Sequence, residues 1–155
     1  MSNIPGLRSP YAKVGRIVYF GRMLDKIRLH AAGRLPEDYV ANLGDEKPGV
    51  FDHRCCRFLG LRFSEIRNRT LEGGSDDAVL DWAENLGGRR DDDECIVWNS
   101  FMMKRGWHDE EANVKHLQKR VRESGLEGRG IQTFFDYIDF DEGRDPVAGK
   151  AWETV

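Results

Sequence analysis

The stretch RIVYFGRMLDKIRLHAAG, residues 16–33, decides the fold. Ile17, Phe20, Leu24, Ile27 and Ala31 recur at spacings of three and four, which places them on one stripe of a helix. Gly33 follows at once, where a helix end favours a residue tolerant of the left-handed conformation. The spacing predicts a helix from about Arg16 to Ala32, with Arg22, Asp25, Lys26, Arg28 and His30 on its polar side.

On the N-terminal side, Pro5, Gly6, Pro10 and Gly15 read as an arm, residues 1–15, that Leu7 and Tyr11 tack onto the core. On the other side, Pro36 sits in the first turn of a short helix near Tyr39. A helix from about Asp52 to Leu59 carries the adjacent Cys55 and Cys56. Ser64 reads as the cap of another that ends near Gly73. Ser75, followed by Asp76 and Asp77, opens a helix with Val79, Trp82, Ala83 and Leu86 on its apolar face.

Asp91 to Glu94 precede a helix ending at Arg105. Val97, Trp98, Phe101 and Met102 cover one of its sides, and Ile96 and Met103 the other. A helix apolar nearly all round is expected at the centre of its domain. A surface helix follows from Asp109 to Ser124, and Thr133 with Asp136 signals the last one. Only Tyr137 to Asp141 has any strand character. The expectation is an all-α fold: a compact irregular bundle of about six to seven short helices. A single domain over 1–144 carries the extended arm, and a polar tail with Trp152 occupies 145–155.

Composition narrows the function classes. Of 155 residues, 39% are hydrophobic and 33% charged, a globular balance. The net charge of −3 argues against a nucleic-acid partner, which usually demands a basic excess. No apolar run approaches the ~20 residues of a membrane span. Met1 to Pro10 lacks the apolar core of a signal peptide. Three cysteines, two of them adjacent, suit a reduced, cytoplasmic setting.

Four constellations could carry chemistry. Arg22, Asp25 and Arg28 lie three apart in turn, so two guanidiniums could hold one carboxylate and clamp an anionic ligand. The plainer reading is a paired or solvated helix face. Cys55 and Cys56 stand beside Arg54, Arg57 and His53, where a thiolate could be activated. The commoner role of a free cysteine is apolar filling. Asp136, Asp139, Asp141 and Glu142 are acidic but break the calcium-loop pattern. Asn99, on the apolar helix beside Trp98, must find a partner in a neighbouring element or a ligand. No finger-like ligand spacing, phosphate loop or nucleophile elbow occurs, so neither a metal nor a cofactor is assigned.

Several segments carry a resemblance. They are Ile4 to Tyr11, Tyr19 to Lys26, Arg54 to Leu59, Val97-Trp98-Asn99 through Gly106-Trp107, and Gln132 to Asp136. Together, from about Ile4 to Arg144, they resemble a bacterial domain-of-unknown-function family of similar size. The resemblance implies a stand-alone bacterial domain and brings no activity or catalytic residues.

The leading functional expectation is a small-molecule or anion-binding helical domain, or an enzyme built on one, with a small anionic ligand as its partner. Its site would gather Tyr19, Arg22, Asp25, Arg28, Trp98 and Asn99. An enzymatic version would use Cys55 or Cys56 as nucleophile and His30 or His53 as base. The rival is an interaction or homodimerisation module without catalysis, built on Trp107, Trp152 and the arm.

Overall fold

Gly15 and Arg16 turn the chain back on itself. The turn pairs β1 (Lys13–Val14) with β2 (Ile17–Val18), antiparallel, with Val14 opposite Ile17. Gly15 has φ +57°, and an added Cβ would lie 2.7 Å from a Leu80 methyl, so the turn excludes a side chain there. This corrects the predicted helix start at Arg16. Val14, Ile17 and Val18 favour extended backbone, and α1 begins only at Phe20, spanning Phe20–Ala31. Tyr19, between the two, holds φ 75°.

The computed structural model describes residues 3–146. The part of the tail at 147–155, Trp152 included, lies outside the described residues. Seven helices follow α1: α2 (Glu37–Val40), α3 (Phe51–Leu59), α4 (Phe63–Leu71), α5 (Asp76–Gly87), α6 (Asp92–Lys104), α7 (Glu111–Glu123) and α8 (Phe134–Asp141). The fold is thus mostly helical, with eight helices among the described residues where six to seven were expected. Tyr137 to Asp141 is helix, not strand.

The start signals act as read. Ser75 accepts the Ala78 N–H, Asp91 that of Glu94, and Thr133 that of Asp136. Ser64 is the exception. It lies inside α4, whose cap is Arg62, and the Glu65 carboxylate takes the Arg62 N–H.

The central element is α1, not the Trp98 helix. Buried positions in α1 run from Phe20 through Ile27 and include Leu29, so nearly its whole circumference is enclosed. Its stripe meets Val18, Cys55, Cys56, Leu59, Ile66, Val79 and Phe135 in the main core. The arm lays Ile4 and Leu7 on Leu29 and Leu35 in a smaller cluster. The Trp98 helix, α6, buries only Cys95, Trp98 and Met102, while Ile96, Val97 and Phe101 stay exposed. Among the described residues, no helix is long and apolar enough to cross a membrane.

Candidate functional site

The polar side of α1 is enclosed by the arm and by the end of α8. Arg22 makes two parallel hydrogen bonds to Glu142 and a third to the Arg8 carbonyl. Glu142 also accepts from Tyr39 and Arg144. Burial alone would push the Glu142 carboxyl up, but these donors outweigh it and hold it below the usual glutamate range. Asp25 does not take Arg22. It takes the Arg8 guanidinium at 2.7 and 2.9 Å and the Arg28 guanidinium at 3.4 Å. Arg8 and Arg28 then share Asp76 on α5.

A second buried group adjoins the first. Asp52, in the first turn of α3, accepts from the Tyr19 hydroxyl (2.6 Å), the Lys26 ammonium (2.9 Å) and the Gly44 N–H (2.8 Å). Burial lowers the Lys26 pKa, and Asp52 opposes that shift. Among the described residues, no buried side-chain polar atom lacks a partner. Tyr19, Arg22 and Asp25 are therefore held by their own chain, as donors and acceptors that tie arm, helices and loop together.

Cys55 and Cys56 pack in the main core. Burial drives the Cys55 thiol well above its usual pKa and pushes that of Cys56 up to about 12. His53 accepts the Gly49 N–H, and His30 is exposed in the last turn of α1. Among the described residues, no hydrogen bond joins either histidine to either thiol. Asn99 and Trp98 both dock on the hairpin: Asn99 bonds the Val18 N–H and the Arg16 carbonyl, and Trp98 Nε1 donates to the Val18 carbonyl. The acidic residues of α8 are likewise engaged, Asp139 with Ser9 and Arg144, and Asp136 with Tyr11.

The structure offers a different candidate, a cavity of about 230 Å³ between the hairpin turn, α3, α5 and the α5–α6 loop. Its buried floor is Ile17, Leu59, Leu80 and Cys95. Phe58 forms one wall, stacked on Trp98 at 4.6 Å with the Arg90 guanidinium 5.7 Å from its ring centre. Arg90 is further fixed by donating to the Phe58 carbonyl at 2.8 Å. Asp77, Leu80, Asp81 and Glu84 lie at helical spacing along one face of α5, so the helix turns three carboxylates toward the cavity. Arg16 and Arg89 complete the lining.

Partners divide these charges. Arg16 pairs with Asp92, and Arg90 with Glu94. Among the described residues, Asp77, Asp81, Glu84 and Arg89 have no ion-pair partner. Burial raises the Cys95 pKa. Arg16 opposes that shift, and Glu84, Glu94 and Asp91 add to it. The floor thiol is thus a neutral, weakly polar surface. The close approach that shapes the cavity depends on Gly87, where a Cβ would stand 2.0 Å from the Leu59 carbonyl oxygen.

A sequence model described as Domain of unknown function (DUF5069) matches residues 4–144. The chain belongs to this family. The DUF5069 match spans the arm from Ile4 onward, the eight helices of the described residues and the whole cavity lining, and ends on Arg144, which hydrogen-bonds Glu142. No curated protein matches the chain.

None of Cys95, Arg89 and Arg90, which line the cavity, stands out as a site residue in the sequence. The one visible signal is a double arginine directly after Gly87-Gly88, a charged loop that no helix face explains. Sequence reasoning also missed Arg8, Tyr39 and Asp52 as partners of the α1 charges.

Proposed function

We propose that this chain is a binding domain for a small zwitterion of amino-acid size, seated in the cavity lined by Leu80, Cys95 and Arg89. One observation carries the reading: unpaired carboxylates and an unpaired guanidinium surround one apolar floor. A few placed polar groups over an apolar floor are the usual make-up of a ligand site. The volume of about 230 Å³ falls below the roughly 300–1,000 Å³ of drug-sized sites, so the occupant is metabolite-sized. Its ammonium end would face Asp81 and Glu84, and its carboxylate end Arg89. The carboxylate is the anionic group expected from sequence, at another place in the fold. A reduced cytoplasmic setting belongs to the same reading, supported by three free, buried thiols.

The experiment is a thermal-shift and calorimetric titration with the twenty amino acids, using simple amines and carboxylates as single-charge controls. At about ten times its Kd, a ligand adds ~1.4 kcal/mol of stability. Zwitterions should raise the melting temperature more than either control, and Asp81→Asn or Arg89→Gln should abolish the rise. Both positions are exposed, so the variants keep the fold. Absence of any shift, or a shift that survives both substitutions, sinks the reading.

A further inference from the structure

The outer face of α6 is the largest departure from what its sequence leads one to expect. Asp93, Val97, Phe101 and Lys104 are all exposed and fall at spacings of four, four and three, which makes a single stripe. Val97 is 67% exposed, its neighbour Ile96 56% and Phe101 39%. Scattered apolar residues on a surface need no explanation, but a contiguous apolar strip framed by charge marks an association site. Neither Asp93 nor Lys104 has an ion-pair partner among the described residues.

The order of residues along the stripe identifies the partner. It reads acid, apolar, apolar, base. Two copies laid antiparallel would set Asp93 of one against Lys104 of the other, twice over. The midpoint of Asp93 and Lys104 falls between Trp98 and Asn99, and that of Val97 and Phe101 falls at Asn99. The register that pairs the charges is therefore the register that packs Val97 on Phe101. A two-fold interface requires this reciprocity, since each contact must be made in both directions. The Arg54 guanidinium, which has no ion-pair partner among the described residues, lies 5.2 Å from the Phe101 ring centre and adds to the basic end. Arg105, 5.1 Å from that ring, is paired with Asp109.

The geometry points to a homodimer formed by antiparallel contact of the α6 outer faces, independent of the cavity on the other side of Cys95. The stripe spans about 16 Å at ~1.5 Å per residue. With a helix about 10 Å wide, the strip covers on the order of 160 Å², well under the ~800 Å² a side of a standard interface, so the dimer is weak, with a Kd of ~10 μM or above.

Sedimentation velocity of the full chain from roughly 1 to 500 μM brackets such an affinity. The expected result is a monomer–dimer equilibrium that Val97→Glu removes with no change in melting temperature. Asp93→Lys alone and Lys104→Glu alone should each weaken self-association about tenfold or more, because each sets like charges at both ends. Mixing the two variants should restore a dimer, since one chain then carries two bases and the other two acids. A monomer at every concentration overturns the inference. So does a dimer indifferent to Val97→Glu, or one that the mixture fails to restore.

Discussion

Arg22 and Glu142 meet in two parallel hydrogen bonds of 2.8 and 2.6 Å, although 120 residues separate them in the chain. The pair joins the central helix to the end of the last one, and both side chains are almost fully enclosed. Removing one partner of a buried ion pair costs about 3–5 kcal/mol when the other charge is left uncompensated. In Arg22→Met the Glu142 carboxylate keeps Arg144 and Tyr39, so the unfolding free energy should fall by about 3 kcal/mol or less in urea titration. Replacing both residues, Arg22→Met with Glu142→Leu, should recover most of the loss, because a well-packed apolar pair is often no worse than a buried ion pair.

The same pair sets part of the pH response. The folded Glu142 pKa lies below its unfolded value, so its contribution is present at neutral pH. It fades as pH falls through the ordinary glutamate value of about 4.3 toward the folded one. Asp76, held down by Arg28 and Arg8 against its burial, acts in the same direction. Asp139 acts oppositely: burial raises its pKa, so it favours the fold in acid and loses that contribution as pH rises through the folded value. In Glu142→Gln the acid limb of stability against pH should become shallower, as followed by circular dichroism. An unchanged limb would show that Glu142 carries none of it.

All three thiols should resist a disulfide reagent at neutral pH. Cys55 and Cys56 are buried with raised pKa values, and Cys95 is buried with its pKa raised too. The thiolate is the reacting species, so protonation and enclosure act together. Titration of the native protein should show almost no release over minutes and three equivalents after guanidinium is added. Rapid release from Cys55 or Cys56 would revive them as nucleophiles.

Gly87 should tolerate no side chain. A Cβ 2.0 Å from the Leu59 carbonyl oxygen forces α5 away from α3, since neither contact atom belongs to a flexible side chain. Overpacking of this kind costs about 1–3 kcal/mol and occasionally more. Gly87→Ala should lower the melting temperature and weaken ligand protection at the adjoining cavity. A wild-type melting temperature would show that the two helices separate freely.

Asn99 spans two backbone groups of the hairpin, accepting from the Val18 N–H at 3.0 Å and donating to the Arg16 carbonyl at 2.8 Å. Asn99→Ala leaves the N–H of the buried Val18 without that acceptor. The cost is about 1–3 kcal/mol, and hydrogen exchange at the Val18 amide should accelerate.

The helices at Ser75, Asp91 and Thr133 were legible because a cap is a local device, completed within three residues of chain. The hairpin at residues 13–18 was not, since a two-residue strand is too short to show a period of two. The α1 charges were visible as a face, but a side chain's spacing cannot say whether its partner sits on the same helix. Arg22 chose Glu142, and Asp25 chose Arg8. The cavity was invisible for the same reason: its lining comes from the hairpin, α3, α5, the α5–α6 loop and α6, brought together only where Gly87 lets α3 and α5 touch.

By itself, then, the sequence determined a mostly helical chain, the apolar stripe of α1, and the starts of most helices. Those follow from periodicity and capping, which act over one or two turns. Only the tertiary structure decided that α1, not α6, lies at the centre. Both helices are apolar enough to be buried, and the choice turns on which face finds partners. The arm, α3, α5 and the end of α8 meet the polar side of α1 with paired charges, while Val97 and Phe101 are left facing outward with acid at one end and base at the other.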